Sequence, residues 1–130
     1  MIEKETDGSD RETIASVIYN RLKGTATNGY LQIDATIQYI LPERKEKLTA
    51  EDQAIDDPYN TYQYAGLPAG PISNPGIAAI RAALAPQPDD EAKDAYFFVT
   101  DLAGHYYYAR TYADHQKNCD EAAKVNKSMK

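Results

Sequence analysis

Apolar side chains recur at helical spacing near the start of the chain. Those that would share one helix face, at intervals of three or four residues, are Ile14, Val17, Ile18 and Leu22. Ser9 precedes this run, and Glu12 lies three residues after Ser9. This is the pattern of a capping box, and it predicts Ser9 as the N-cap. Gly24 predicts the end of the helix, because glycine is common directly after a helix.

Helix signals recur along the rest of the chain. Residues 1–6 predict the last turn of one further helix. The residues predicted to cap the N-termini of four more helices are Asp34, Thr49, Asn74 and Thr111. Pro75 would occupy the first helical position after Asn74, where proline is favoured. Pro42 and Pro86 predict the ends of two of these helices.

Two aromatic-rich runs, Ala95–Thr100 and His105–Arg110, flank a turn at Asp101–Gly104. Strand-forming residues on both sides of a short polar turn predict an antiparallel β-hairpin. Together with the helices this predicts an α+β fold, with helices packed on a small antiparallel sheet and a C-terminal β-hairpin and helix. The 130 residues are the length of one domain.

Tyrosine dominates the aromatic composition, with eleven Tyr, two Phe and no Trp. Most of these rings fall in residues 59–64 and 96–112, and the first group lies in a segment, residues 56–73, that has no periodicity. Its length predicts an ordered surface loop with a function. Tyrosine has an apolar face and a hydroxyl, which suits planar ligands such as sugars. Covering the edge of a sheet is an equally good interpretation.

The charge pattern excludes some classes of partner. The net charge is −6 and there is no basic stripe, which disfavours a nucleic-acid groove or an anionic membrane patch. No apolar run approaches the ~20 residues that cross a bilayer, so we expect a soluble chain. The single Cys119 excludes an internal disulfide and a CxxC motif, and we interpret it as a bystander.

Common catalytic motifs are missing from the sequence. There is no nucleophile elbow, P-loop, GxGxxG or HExxH pattern. His105 and His115 are ten residues apart, which is not a metal-ligand spacing, and we expect each to be a hydrogen-bonded structural histidine. Carboxylates beside polar loops therefore remain as the candidate chemistry.

Glu3 and Glu5 are two residues apart on a predicted helix, so they point about 200° from each other. If Ile2 marks the buried side, Glu5 lies closer to it, and Glu5 is then the half-buried carboxyl. Burial would raise its pKa, as a general acid working near neutral pH requires. On composition alone, two exposed surface glutamates would be the more ordinary interpretation.

Four blocks of sequence are specific only in combination. They are Glu3–Thr6 with Arg11 and Ile14–Leu22; Leu31–Asp34 with Thr36; Pro58–Tyr62, Gly66–Pro68, Gly70–Ile72 and Asn74–Gly76; and Tyr96–Val99, Gly104–His105 and Thr111–His115. In this order they cover nearly the whole chain and resemble the YceG-like family, the MltG-type endolytic murein transglycosylases. One departure is Ala35, where that family usually has proline, and this change removes no functional group.

The resemblance implies cleavage of peptidoglycan glycan strands at MurNAc–GlcNAc linkages, leaving 1,6-anhydro-MurNAc ends. A single glutamate suffices, because the C6 hydroxyl of the sugar replaces the second carboxylate that glycoside hydrolases use. We assign this acid to Glu5 and expect no metal or cofactor. The polar residues expected to gather around Glu5 and bind substrate are Gln32, Asp34, Tyr59, Asn60, Thr61 and Asn74.

The resemblance also predicts where the chain belongs. Residues 1–130 would be the catalytic domain, without the membrane anchor and LysM-like region of that family. The parent protein would act on the extracytoplasmic face of the bacterial cell membrane. Its partners would be peptidoglycan glycan strands and the cell-wall synthesis machinery.

Two other functions stay open from the sequence. The chain could be an ordinary muramidase in which Asp34 is the second carboxylate. It could also be a glycan-binding module without catalysis that uses its tyrosine surface.

Overall fold

The computed structural model describes residues 1–5, 10–25, 27–45, 47–86 and 93–129. In chain order its elements are the helices α1 (Ile2–Glu5), α2 (Arg11–Lys23), α3 (Asp34–Ile40), α4 (Ala50–Gln53) and α5 (Ile77–Leu84), the strands β1 (Phe97–Thr100) and β2 (Tyr106–Ala109), and the helix α6 (Tyr112–Ser128). Helices with one small antiparallel sheet make this an α+β fold, as the sequence predicts.

Helix α2 lies at the centre of the fold and packs against α1, α5 and β1. Its apolar face supplies Ile14 and Ile18, which are buried against Leu31 and Ile33 from the segment before α3. Phe98 from the sheet packs against the same cluster. Burying a large aliphatic side chain stabilises the fold by roughly 1.5–3 kcal/mol. This cluster therefore fixes α1, the segment before α3 and the sheet around α2.

The two strands pair antiparallel, from Phe97 opposite Ala109 to Thr100 opposite Tyr106. Asp101 organises the turn, because its carboxylate accepts hydrogen bonds from the backbone N–H groups of Ala103 and His105. Helix α6 packs against both strands. The predicted hairpin is confirmed, with each strand slightly shorter than expected.

The helix caps agree with the sequence at two of the predicted positions. Thr49 forms a capping box with Asp52, and Thr111 accepts a hydrogen bond from the backbone N–H of Asp114. Ser9 lies outside the described residues, and α2 begins at Arg11.

The cap predictions for Asp34 and Asn74 were wrong. Asp34 is the first residue of α3 rather than its cap, and its carboxylate accepts a hydrogen bond from the Tyr62 hydroxyl instead. Helix α5 begins at Ile77 after Gly76, two residues later than Asn74 would place it. Neither the Asp34 carboxylate nor the Asn74 carboxamide therefore caps a helix, although the local sequence predicts that both do.

Residues 54–76 contain no helix or strand, as predicted for the tyrosine-rich loop. Part of the segment is interior, because Asn60, Thr61 and Ile72 are buried. Among the described residues, no helix combines the length and apolar character needed to span a membrane.

Candidate active site

Glu5 lies at the end of α1, half-buried, on the wall of a cavity of about 410 Å³. Ile2, three residues earlier, packs against the core cluster, so the helical phase carries Glu5 to the neighbouring side. The cavity is bounded by α2, the segment before α3, β1 and α6. Its polar and charged lining residues include Arg21, Gln32, Asp34, Tyr62 and His115.

A second cavity, of about 400 Å³, also has Glu5 and Asp34 in its wall. It is lined on its other sides by Lys4, Arg44 and Lys45 among others, and the ammonium of Lys45 is paired with Asp52 at 2.8 Å. The two carboxyl groups therefore line both cavities. The first is rich in aromatic side chains and is called the aromatic cavity below, whereas the second has several cations in its wall.

The environment of Glu5 favours its protonated form. Burial raises the pKa of Glu5 to about 7, and the negative charge of Asp34 acts in the same direction. The amino group of Met1 opposes both effects. A carboxyl group with a pKa near neutral can donate a proton and then act as a base, so Glu5 has the property that a general acid needs.

This shift predicts how stability depends on pH. The folded pKa of Glu5 lies above its ordinary 4.5, so the folded state holds the proton more tightly, and the free energy of unfolding falls as pH rises from 4.5 to about 7. The glutamine in Glu5→Gln does not titrate, so the free energy of unfolding of the variant lacks this pH dependence. We expect the variant to be more stable than the wild type at about pH 8, measured by thermal unfolding. At pH below 4.5, where both side chains are neutral, the two proteins should differ little; parallel curves across this range would contradict the shift.

Glu3 faces a different part of the molecule. It is half-buried rather than exposed as expected, and it lines an apolar groove of about 330 Å³ between α1, α2 and α5. Its carboxyl lies near the backbone of Gly76, because a Cβ added at Gly76 would be 3.8 Å from Glu3 Oε1. Glu3 is not among the residues that line either cavity of Glu5.

Gln32 is held in the aromatic cavity by its backbone and by Arg21. Its φ of 51° is in the left-handed region, which non-glycine residues adopt rarely. The backbone N–H of Gln32 donates to the carbonyl of Thr61 at 3.1 Å, and its Oε1 atom accepts from Arg21 Nη2 at 3.0 Å. Arg21 also donates to the carbonyls of Tyr30 and Tyr96, at 3.0 and 2.8 Å. The guanidinium thus fixes the orientation of the Gln32 amide.

Asp34 and Tyr62 form a pair in the same cavity. The Tyr62 hydroxyl donates a hydrogen bond to Asp34 Oδ1. Burial raises the pKa of Tyr62, and the hydrogen bond to Asp34 adds to the effect. The hydroxyl therefore stays a donor throughout the neutral pH range.

Asn60 and Thr61 do not reach the cavity surface. Asn60 is fully buried, donates from Nδ2 to the carbonyls of Gln53 and Ile55 at 3.1 and 2.8 Å, and accepts from the backbone N–H of Tyr62. Thr61 is 1% exposed, and its hydroxyl accepts from the backbone N–H of Ile33 at 2.9 Å. Both polar groups are occupied inside the protein, so the prediction that they gather with Glu5 at an open cleft does not agree with the structure.

Tyr59 and Asn74 also lie apart from the cavities of Glu5. The ring of Tyr59 packs on Tyr39, with centroids 5.0 Å apart, and Tyr39 rather than Tyr59 lines the second cavity. Asn74 is exposed, two residues before the cap of α5. Of the six predicted binding residues, the structure brings Gln32 and Asp34 to Glu5. Their contact with substrate stays a prediction.

Several residues that line the cavity were not predicted as site residues from the sequence. Arg21, Tyr62, Phe97 and His115 line the aromatic cavity, together with Tyr96 and Tyr112. The tyrosine-rich stretches were the available signal for the three tyrosines, but nothing in their spacing indicates which rings meet Glu5.

The two histidines differ in their surroundings. His105 is hydrogen-bonded to Asp101 at 2.9 Å, as expected for a structural histidine. His115 stacks on Phe97, with centroids 5.1 Å apart, and its Nε2 atom is 3.5 Å from the sulfur of Cys119. Burial lowers the pKa of His115, with a further contribution from Arg21. It therefore forms part of the aromatic wall as a neutral ring.

The chain is similar to a known protein family over nearly its whole length. The model of the YceG-like family matches residues 1–121. A crystal structure of a yceG-like protein from Listeria monocytogenes superposes with a TM-score of 0.78 at 44% identity, covering 90% of this chain and 36% of that one.

Two curated relatives carry the name endolytic murein transglycosylase. The protein from Bacillus subtilis (strain 168) is 39% identical over 118 residues, which is 90% of this chain and 31% of the relative. The protein from Streptococcus pneumoniae serotype 2 (strain D39) is 35% identical over 128 residues, covering 93% of this chain and 22% of the relative. The chain thus spans less than a third of the length of these relatives.

Proposed function

This chain belongs to the YceG-like family, and from that premise we propose that it is the glycan-cleaving part of an endolytic murein transglycosylase. The observation that carries the proposal is the half-buried carboxyl of Glu5, whose pKa is raised to about 7 at the wall of an aromatic, polar cavity. Relatives named endolytic murein transglycosylase support peptidoglycan as the substrate.

The proposed reaction uses Glu5 twice. Protonated Glu5 donates its proton to the glycosidic oxygen as the bond between that oxygen and C1 of MurNAc breaks. The C6 hydroxyl of the same MurNAc forms a bond to C1, and the Glu5 carboxylate takes the hydroxyl proton. The products are a free hydroxyl on the leaving sugar and a 1,6-anhydro-MurNAc end. Glu5 returns to its acid form and no water is consumed.

The cavity lining fits a sugar chain. Tyr62, Tyr96 and Tyr112 provide apolar faces with hydroxyl groups, which suits pyranose rings. The Gln32 amide, oriented by Arg21, has a carbonyl that is already used and an NH₂ group that can donate to hydroxyl or N-acetyl oxygens. These are the substrate contacts that we propose.

Product analysis tests the reaction. We expect digestion of purified peptidoglycan by this chain to yield fragments that lack one water and resist borohydride reduction, as anhydro ends do, when measured by mass spectrometry. Glu5→Gln, as control, should yield none. Reducible MurNAc ends would contradict the proposal and favour the muramidase in which Asp34 is the second carboxylate. Binding of glycan strands without any cleavage would favour the binding module.

The remaining parts of the proposal concern the parent protein. Residues 1–130 would form its catalytic domain, acting on glycan strands at the extracytoplasmic face of the cell membrane. The cell-wall synthesis machinery would be the source of those strands. The family match over residues 1–121 supports the domain assignment.

A further inference from the structure

Two carboxyl groups and one phenol meet in the aromatic cavity. Glu5 and Asp34 both line it, and the Tyr62 hydroxyl donates to Asp34 Oδ1. Glu5 is half-buried whereas Asp34 is exposed, and a negative charge on the same cavity wall disfavours ionisation of a half-buried carboxyl. The hydrogen bond from Tyr62 holds the Asp34 carboxyl at that wall.

We propose that Asp34, held by the Tyr62 hydroxyl, is a positioning residue that keeps Glu5 in its acid form until substrate binds; this rests on the proposed role of Glu5. The backbone supports the pair, because Asp34 begins α3 and Tyr62 follows Asn60 and Thr61, whose buried hydrogen bonds fix that turn. Asp34 thus acts through Glu5.

Charged and titratable groups line the two cavities of Glu5 from every element around it. Those that line its two cavities are Lys4 on α1, Arg21 on α2, Asp34 on α3, Arg44 and Lys45 after α3, Tyr62 in the loop, Tyr96 before β1, and Tyr112 and His115 on α6. The amino group of Met1 adds a positive charge. The cations and the Met1 amino group favour the ionised form of Glu5, whereas burial and the negative charge of Asp34 oppose it.

The direct test is a ¹³C NMR titration of the Glu5 carboxyl, which needs no substrate. Asp34→Asn keeps the shape and can still accept from Tyr62, but it removes the charge. We expect the titration midpoint of Glu5 to fall by on the order of one pH unit. Tyr62→Phe should lower it in the same direction by less, because the Asp34 carboxyl keeps its charge but is no longer held at the cavity wall.

The chain offers a matched control. The Tyr64 hydroxyl donates to Asp56 in the same chemical arrangement, but neither residue lines a cavity of Glu5. Tyr64→Phe should leave the Glu5 midpoint unchanged. An unchanged midpoint in Asp34→Asn, or an equal shift in Tyr64→Phe, would overturn the proposal.

The pH profile of kcat/KM provides the second readout. In the wild type the descending limb should follow the ionisation of Glu5, and in Asp34→Asn this limb should move to lower pH with cleavage retained at acidic pH. Loss of cleavage at every pH in folded Asp34→Asn would overturn the positioning role and make Asp34 a participant in the chemistry. If the wild type cleaves nothing, the proposed function fails, whereas the NMR titration still decides the role of Asp34.

Discussion

Glu5→Gln should abolish glycan cleavage. The substitution keeps the size of the side chain and removes the proton that the leaving oxygen must receive. Loss of a general acid lowers the rate by about 10²–10⁴-fold, and the loss should exceed this range because the same group also serves as the base. The measurement is the initial rate of fragment release from purified peptidoglycan at a pH near the Glu5 pKa of about 7.

Glu3→Gln is the matched control, because it changes the same functional group two residues away. Glu3 lines the apolar groove between α1 and α5 and neither cavity of Glu5. We expect its cleavage rate to stay close to the wild type. A dead Glu3→Gln variant beside an active Glu5→Gln variant would show that the acid is Glu3, and that the helical phase of α1 does not decide the assignment.

Asn60→Ala should destabilise the fold strongly. The carboxamide of Asn60 satisfies the carbonyls of Gln53 and Ile55 and the N–H of Tyr62, and it is fully buried. Leaving buried groups unpaired costs about 1–3 kcal/mol each, so for these three groups we expect a total loss of at least about 3 kcal/mol, measured by urea unfolding. This is a large share of the ~5–15 kcal/mol that stabilises a typical domain.

Asn74→Ala is the control for Asn60→Ala, because it removes the same carboxamide group at an exposed position. Asn74 is exposed and caps no helix, so its removal should change the free energy of unfolding by less than about 0.5 kcal/mol. If Asn60→Ala instead unfolds like the wild type but loses glycan binding, Asn60 contacts substrate as the sequence predicts, and the structural explanation is wrong.

Glu5 is the site residue for which sequence and structure agree most directly. A helical phase needs only the spacing of Ile2, Glu3 and Glu5, and the structure has Ile2 on the core and Glu5 at the cavity. Helical phase alone did not predict that Glu3 is half-buried. Its half-buried position depends on α5, which is more than seventy residues away in the sequence.

Cap predictions show the same boundary between local and distant effects. Thr49 and Thr111 cap their helices because a cap requires a hydrogen bond only three residues away. Asp34 has a competing partner in Tyr62, which is distant in sequence, and the tertiary contact takes its carboxylate. At Asp34 the local rule therefore gives way to a distant group that competes for the same atom.

The sequence by itself determined the α+β composition and the hairpin, because each depends on spacing within a short segment. Only the tertiary structure decided which polar residues of the irregular segments face the cavity. Gln32 and Asp34 reach it, whereas Asn60 and Thr61 turn inward to hold the segment before α3. An irregular segment has no period that relates one side chain to the next. The direction of each is therefore set by hydrogen bonds to residues far away along the chain.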